Sequence, residues 1–287
     1  MHNPCTSSYA VSRRKWLTSA SALIGGSALV SRLSAQRPLL PLNTTGLDHL
    51  SIIVPDSREA ALFYGRIFDP QVFHERSGVQ RYYVRLGSAY IALGPQPNAA
   101  PYIDHIAAAV VDFVETDFGK PEITAQITAA GLAAPPGVLP MLSDPDRLRL
   151  QLVNATHGLF DTLMPGGRVT TEPAAVTPIG LDHIMVSVTD LDKSAAHYRK
   201  LFGPEERGGN KDRRIWFKLA GSRLGLEPCA DGAKPGFSHF SVKAADFNHA
   251  AATARLQKLG IKVEPGLEKG SLRFRDPNNV AVEITAG

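Results

Sequence analysis

Cysteine is scarce in this sequence, which has two in 287 residues, Cys5 and Cys229. Cys5 lies near the N-terminus, in a segment with the features of a cleaved leader, so the mature chain would keep a single thiol. One thiol cannot form an internal disulfide, and the stability of the protein must therefore come from a hydrophobic core. A composition of 44% hydrophobic and 20% charged residues is ordinary for a globular protein with such a core.

An excess of one charge is missing from most of the chain. The formal net charge is +4, but residues 1–35 contain four basic residues and no acidic residue: Arg13, Arg14, Lys15 and Arg32. The rest of the chain has 27 basic and 27 acidic side chains. A neutral body lacks the basic surface with which proteins bind nucleic acid, so we expect no nucleic-acid partner.

Long apolar runs are also missing. The apolar stretch of residues 17–30 is too short for a permanent transmembrane helix, which needs about 20 residues. It follows the sequence SRRKWL (residues 12–17), which resembles a twin-arginine export motif, and it precedes the small residues LSA (33–35). We expect residues 1–35 to be a cleaved signal peptide, and the mature protein to be periplasmic or extracellular without stable membrane insertion. The alternatives are an uncleaved anchor or a chance arginine pair.

The body of the chain contains a fourfold repeat. Its four copies are LDHLSIIV at Leu47, IDHIAAAV at Ile103, LDHIMVSV at Leu181 and FSHFSVKA at Phe237. The first and second copies start 56 residues apart, and so do the third and fourth. The first, third and fourth copies are followed by a helix-like segment and then by strand-like runs, whereas the second is irregular, with a short helix and a proline-rich passage. This order predicts an α+β fold of four βαβββ units in two pairs. Each pair would form a curved mixed sheet with the helices on its outside. One of the four strands in each unit has no assigned position in the sequence.

The repeat also predicts the element positions and the domain boundaries. Helices are expected at 57–68, 122–130, 191–202 and 247–259, and strands at 81–86, 89–93, 214–219, 223–227, 271–275 and 280–285. Residues 44–163 would form an N-terminal domain and residues 179–287 a C-terminal domain. Residues 164–178 are rich in Pro, Gly and Thr, which is typical of a linker.

In the third and fourth units, a histidine lies on the first strand and a glutamate on the last. His183 and Glu227 are 44 positions apart, and so are His239 and Glu283. Strand alternation places all four on the open face, opposite the apolar face that must meet the helices. They could converge on one ion; the alternative is four ordinary strand residues in a metal-free fold.

An aspartate precedes three of the four repeat histidines, namely Asp48, Asp104 and Asp182. Alternation predicts that each aspartate points to the opposite strand face from its histidine. We therefore interpret these aspartates as residues that begin a strand and not as ligands.

These motifs resemble the vicinal oxygen chelate superfamily, which includes glyoxalase I, extradiol dioxygenases, epimerases and antibiotic-resistance proteins. The closing motif DPxxxxxE of that family is present from Asp276 to Glu283, and it recurs from Asp144 to Gln151. The resemblance implies one metal in the C-terminal pair, held by His183, Glu227, His239 and Glu283. The corresponding N-terminal residues are His49, Gly94, His105 and Gln151, and this second cup is expected to be degenerate because Gly94 offers no ligand and Gln151 a weaker one.

The resemblance also implies the chemistry of the C-terminal site. Two imidazoles and two carboxylates suit a divalent ion of Fe, Mn, Zn, Ni or Co, which would polarise a small substrate chelating through two oxygens. Glu283 is the expected catalytic base. Arg273 and Arg275 are candidates for binding an anionic substrate, or are solvated charges at the sheet edge, and Trp216 either lines the cup or packs in the fold.

Three functions remain open from the sequence. The first is a metal-dependent lyase or isomerase of the glyoxalase or epimerase type, which the four-ligand set favours. The second is an extradiol-type dioxygenase. Two features count against it: Glu227 would occupy a position that O₂ needs, and the His and Tyr that extradiol enzymes use near the metal are not evident. The third is a non-catalytic binding or sequestering protein. The protein is expected to be a monomer or homodimer.

Overall fold

The structure is a computed structural model that describes residues 38–78, 80–135, 140–208 and 213–287. The predicted signal peptide, residues 1–35, lies outside these ranges. Among the described residues, no helix is both long enough and apolar enough to cross a membrane.

The first sheet contains eight strands: β1 (Thr44–Val54), β2 (Gln71–His74), β3 (Tyr82–Leu86), β4 (Ala89–Pro95), β5 (Tyr102–Val110), β6 (Met141–Ser143), β7 (Arg149–Asn154) and β8 (Met164–Arg168). Their order across the sheet is β6-β7-β5-β1-β4-β3-β2-β8. The two long strands β1 and β5 are antiparallel neighbours at the centre, and each also pairs in parallel with the strand that ends its unit, β4 or β7.

The second sheet repeats this design with β9 (Thr177–Val188), β10 (Glu206–Arg207), β11 (Ile215–Leu219), β12 (Ser222–Pro228), β13 (Gly236–Ala245), β14 (Glu264–Pro265), β15 (Leu272–Arg275) and β16 (Ala281–Ala286). Their order is β10-β11-β12-β9-β13-β16-β15-β14. Antiparallel β9 and β13 lie at the centre, flanked by parallel β12 and β16. The predicted α+β fold of two paired sets of units is therefore confirmed.

The helices are α1 (Ser57–Ile67), α2 (Pro121–Ala129), α3 (Leu159–Thr162), α4 (Leu191–Phe202) and α5 (His249–Lys258). The helix predicted at 191–202 has the observed bounds, and those at 57–68, 122–130 and 247–259 are correct to within two residues. Side chains cap three of them at the N-terminus, because Asp56, Asp190 and Asn248 accept hydrogen bonds from the backbone N–H three residues later.

The apolar faces of both sheets share one hydrophobic core with the helices. Alternate residues of β1 and β9, such as Ile52 and Val186, are fully buried in it. The ring of Tyr64 on α1 lies 6.3 Å from that of Phe240 on β13, so the helix of the first unit packs against the second sheet. The opposite faces of the central strands carry the repeat histidines.

Two features of the fold differ from the sequence predictions. The strand that the repeat left unplaced is present in three units, as β10 and β14 at the edges of the second sheet and as β2 next to the edge of the first. Residues 164–168, predicted as part of a linker, form β8. This strand pairs with β2, so that Arg168 lies opposite Gln71 and Met164 lies opposite His74. Pro165 is tolerated because β8 lies at the sheet edge, where a missing N–H breaks no interior ladder.

Candidate metal centre

Each long central strand has a β-bulge immediately before its histidine. The pairing of β1 with β5 passes from Leu47 to His49 on one strand and from Ile103 to His105 on the other. The residues skipped in this way in the two sheets are Asp48, Asp104, Asp182 and Ser238. A bulge puts two residues opposite one and interrupts strand alternation, so these side chains can reach the same side as the histidines.

The interpretation of the aspartates as residues on the opposite face is therefore wrong. The Nδ1 atom of His183 lies 2.6 Å from Asp182 Oδ2, and the pairs His49–Asp48 and His105–Asp104 are both 2.7 Å apart. A carboxylate that accepts from Nδ1–H leaves the Nε2 lone pair for a ligand. In the fourth copy, Ser238 Oγ replaces the carboxylate and lies 3.2 Å from His239 Nδ1.

His183, His239 and Glu283 form the C-terminal site. The Nε2 atoms of the two histidines are 3.1 Å apart, and both residues are 1% exposed. Two ligand atoms about 2.1 Å from one ion and at right angles would lie about 3 Å apart. One ligand atom from each of the three residues can be chosen so that all lie within 4.8 Å of one another.

The two carboxylate oxygens of Glu283 have different surroundings. Oε1 accepts hydrogen bonds from the backbone N–H groups of Leu267 and Glu268, each at 3.1 Å, and from Ser271 Oγ. Oε2 is buried without a hydrogen-bond partner and lies 3.9 Å from His239 Nε2. A buried carboxylate oxygen without a donor is costly unless a cation binds it. The three residues therefore fit a divalent ion.

Glu227, the fourth ligand implied by the resemblance, does not join this cluster. It pairs with Ser187, four residues beyond His183 along β9. Its Oε1 accepts hydrogen bonds from Ser187 Oγ at 3.0 Å and Ser238 Oγ at 2.8 Å. Because Ser238 also lies 3.2 Å from His239 Nδ1, Glu227 is connected to the cluster through Ser238 and lies outside it.

The strand register places Gly225, and not Glu227, at the position equivalent to Glu283. Glu283 lies opposite Ser241, two residues after His239. The residue two positions after His183 is Met185, which lies opposite Gly225. Gly225 offers no side-chain ligand, and a Cβ there would come within 2.6 Å of Met185 Cε and 2.7 Å of Trp216 Cζ3, so a larger side chain would have to displace these two.

The N-terminal cup keeps the histidine pair but not the carboxylate. His49 Nε2 and His105 Nε2 are 3.4 Å apart. Gln151 lies opposite Ala107 and so corresponds to Glu283. Ala92, opposite Ser51, corresponds to Gly225. Gly94, which the sequence analysis placed there, lies two residues further along β4.

Arginines surround the C-terminal site. Burial lowers the pKa of His239 to about 3, with smaller electrostatic contributions from His183, Arg273 and Arg214. Burial alone would raise the pKa of Asp182, but hydrogen bonds from His183 and Arg223 lower it well below its ordinary value. His239 is therefore held neutral and Asp182 ionised, as metal ligation requires.

The remaining predicted site residues have different positions. The ring of Trp216 lies edge-on to His183 at 5.2 Å, so Trp216 lines the cup. Arg273 on β15 lies opposite Glu283 on β16 in the strand register. Arg275 is exposed and donates to the backbone oxygen of Asn279 at 2.8 Å. Sequence reasoning missed Ser238 and Ser271; the recurring residue before each histidine was the available signal for Ser238.

Residues 180–284 match the Glyoxalase/Bleomycin resistance protein/Dioxygenase superfamily. The chain is thus similar to this superfamily over the residues that form its second sheet. It is also 26% identical over 120 residues to the metallothiol transferase FosB of Shouchella clausii (strain KSM-K16), a match that covers 38% of this chain and 80% of that one.

Solved structures extend the similarity across both sheets. The 2,3-dioxygenase LapB from Pseudomonas sp. KL28 superposes with a TM-score of 0.60 and 16% identity, over 86% of this chain and 93% of that one. The Mn(II)-bound glyoxalase from Novosphingobium aromaticivorans superposes with a TM-score of 0.60 and 15% identity, over 86% and 83% of the two chains. At these identities, the likeness shows the fold and leaves the reaction open.

Proposed function

We propose that this protein is a metal-dependent enzyme that holds one divalent ion with His183, His239 and Glu283. Its substrate would be a small molecule that chelates the ion through two oxygens, and extradiol-type ring cleavage is the reaction that the geometry supports best. Bound there, iron would supply Lewis acidity toward the substrate and reactivity toward O₂.

The observation that carries this proposal is the glycine at the fourth ligand position. Two histidines and one carboxylate on one face form the ligand set of non-haem iron oxygenases, which leaves sites for a bidentate substrate and a third small ligand. Since Glu227 lies outside the cluster, it does not occupy a coordination position that O₂ would need. Extradiol cleavage places both atoms of O₂ in the ring-opened product and needs no external reductant.

The surroundings of Glu283 support a role as a ligand and not as the catalytic base that the resemblance suggested. Its Oε1 is fixed by three donors, from Leu267, Glu268 and Ser271. A base that exchanges protons with a substrate needs an oxygen that can approach the reacting carbon. Only Oε2 lacks a partner, and it is the atom next to His239.

The charge around the site supports an anionic, ring-containing substrate. The positive charges of Arg273 and Arg214 contribute to the low pKa of His239, after burial. The same field would attract an anion and favour deprotonation of its chelating hydroxyl groups. Trp216 adds a flat apolar surface beside His183 against which a substrate ring could pack.

A lyase or isomerase remains the second candidate. Extradiol enzymes use a His and a Tyr near the cup, whereas among the described residues the rings in contact with His183 are Trp216 and His239. A reaction that needs only polarisation of a chelated substrate would not require those two additional groups.

Metal content and oxygen uptake test the proposal. The first comparison is between Glu283→Ala and Glu227→Ala, which remove two carboxylates of the same sheet. We expect Glu283→Ala to lose one bound ion per chain relative to the unmodified protein, and Glu227→Ala to keep it. Equal metal content in all three proteins would contradict the assigned ligand set.

The second measurement follows O₂ consumption by the Fe²⁺-loaded protein with catechol and with a carboxylated catechol. Uptake of one O₂ per ring-opened product supports the dioxygenase. Turnover of a chelating substrate without O₂ uptake would instead support the lyase or isomerase. Bound metal and substrate without turnover would leave a binding protein.

Export through the twin-arginine pathway is a separate proposal, supported by the SRRKWL sequence at residues 12–17. Replacing Arg13 and Arg14 by Lys should move the protein from the periplasmic to the cytoplasmic fraction of the producing cell. Unchanged fractionation would contradict export by this route.

A further inference from the structure

The N-terminal cup has an unexplained arrangement of imidazoles. His49 and His105 are 4% and 6% exposed, and their Nε2 atoms face each other at 3.4 Å. The Nδ1 atoms are 2.7 Å from Asp48 and Asp104. When both Nδ1–H groups donate to carboxylates, both Nε2 atoms are acceptors, and two facing acceptors need a cation or a proton between them.

The carboxylates that orient these histidines are themselves held in place. Asp48 Oδ2 lies 2.7 Å from His157 Nε2, and Asp104 forms an ion pair with Arg149. Both aspartates are thus held on the outer side of the imidazoles by these partners. A carboxylate behind each imidazole is the usual outer support of a metal-binding histidine.

We propose that the N-terminal cup binds a second divalent ion through His49 Nε2, His105 Nε2 and the side-chain oxygen of Gln151. Gln151 lies on β7 at the position that Glu283 occupies on β16. Two ligand atoms about 2.05 Å from one ion and at the tetrahedral angle lie about 3.3 Å apart, close to the observed separation of the histidine nitrogens. The site is independent of the C-terminal one and of the reaction proposed there.

The ligand set indicates which ion this second site prefers. Two imidazoles and an amide oxygen carry no charge, so hard ions such as Mg²⁺ or Mn²⁺ gain little, whereas Zn²⁺ or Cu²⁺ binds well to imidazole. The ring of Tyr90 stacks on His49 at 4.5 Å and also contacts Phe160 at 5.6 Å, which encloses the site on one side. We expect weaker binding here than at the C-terminal site, because no ligand carboxylate neutralises the ion.

The test uses the full chain with the C-terminal site removed by His183→Ala and His239→Ala. After dialysis against about 10 µM free Zn²⁺ and removal of unbound metal, we expect about one zinc per chain. Adding His49→Ala and His105→Ala should abolish it. Zinc content that does not differ between the two variants would overturn the inference.

Substitutions at Gln151 keep the histidine pair and guard against a variant that fails to fold. In the same background, Gln151→Glu should tighten Zn²⁺ binding at least tenfold in chelator competition, and Gln151→Leu should weaken it. Equal affinity in all three proteins would overturn the inference. His49→Ala/His105→Ala in the otherwise unmodified chain should lose the second ion but keep the C-terminal one, so failure of the proposed function is distinguishable from failure of this inference.

Discussion

The hydroxyl of Tyr64 donates a hydrogen bond to Asp276 Oδ2 at 2.8 Å, and this buried bond connects the first unit to the fourth. Its counterpart joins the third unit to the second, where Tyr198 donates to Asp144 Oδ2 at 3.1 Å. The other oxygen of Asp276 accepts from the N–H groups of Asn278 and Val280. The aspartate of the closing motif therefore orders the turn that leads into β16 and Glu283.

Loss of the Tyr64 hydroxyl should destabilise the fold without removing metal. In Tyr64→Phe, the buried Asp276 Oδ2 loses its donor, which costs about 1–3 kcal/mol. Urea unfolding of Tyr64→Phe, Asp276→Asn and the double variant forms a cycle in which we expect a coupling energy of about 1 kcal/mol or more. A coupling energy near zero would mean that the bond does not connect the units energetically.

The sequence was sufficient for the repeats, for four of the helices and for the cluster of His183, His239 and Glu283, because these depend on local periodicity and on residue type. It was insufficient for Glu227, because equal spacing in the chain does not imply equal register in the sheet. From His183 to Gly225 is 42 positions, whereas from His239 to Glu283 is 44, and only strand pairing shows that these two intervals correspond. The bulges were also invisible to alternation, which assumes an unbroken period of two.

Asp182 should control metal affinity although it is not a ligand. Asp182→Asn keeps the shape of the side chain but removes the charge that favours Nδ1–H on His183, so we expect about a 10- to 100-fold loss of affinity. Competition with a chelator measures the dissociation constant. Asp192→Asn, with a side chain 85% exposed on α4, should bind as the unmodified protein does. An equal affinity of Asp182→Asn would contradict the supporting role.

Gly266 should be needed for the loop that holds Glu283. A Cβ at this position would overlap Ser271 Oγ and lie 2.8 Å from Glu283 Oε1. Gly266→Ala must therefore shift the hydroxyl or the carboxylate, and we expect metal affinity to fall about tenfold and stability by about 1–3 kcal/mol. Gly236→Ala on β13 is the matched control, since its Cβ would have no neighbour within 4 Å. If both variants bind metal equally, the loop does not position Glu283.

His197 should make the protein less stable in acid. It is buried on α4, and burial, with a smaller effect of Lys200, lowers its pKa from 6.5 to about 4. Between these values the unfolded chain binds the proton more readily than the folded one, so stability is fully present above about pH 6.5 and is lost as the pH falls toward about 4.

Unfolding in urea at about pH 7.5 and about pH 4.5 measures this contribution, which we expect to be roughly 2–3 kcal/mol. In His197→Gln the proton-binding group is gone, so the loss of stability between the two pH values should shrink by that amount, even if the substitution lowers stability at both. His249→Gln removes an exposed histidine on α5 and should behave like the unmodified protein. If the pH dependence of His197→Gln is parallel to that of the unmodified chain, His197 is not the residue that couples protonation to unfolding.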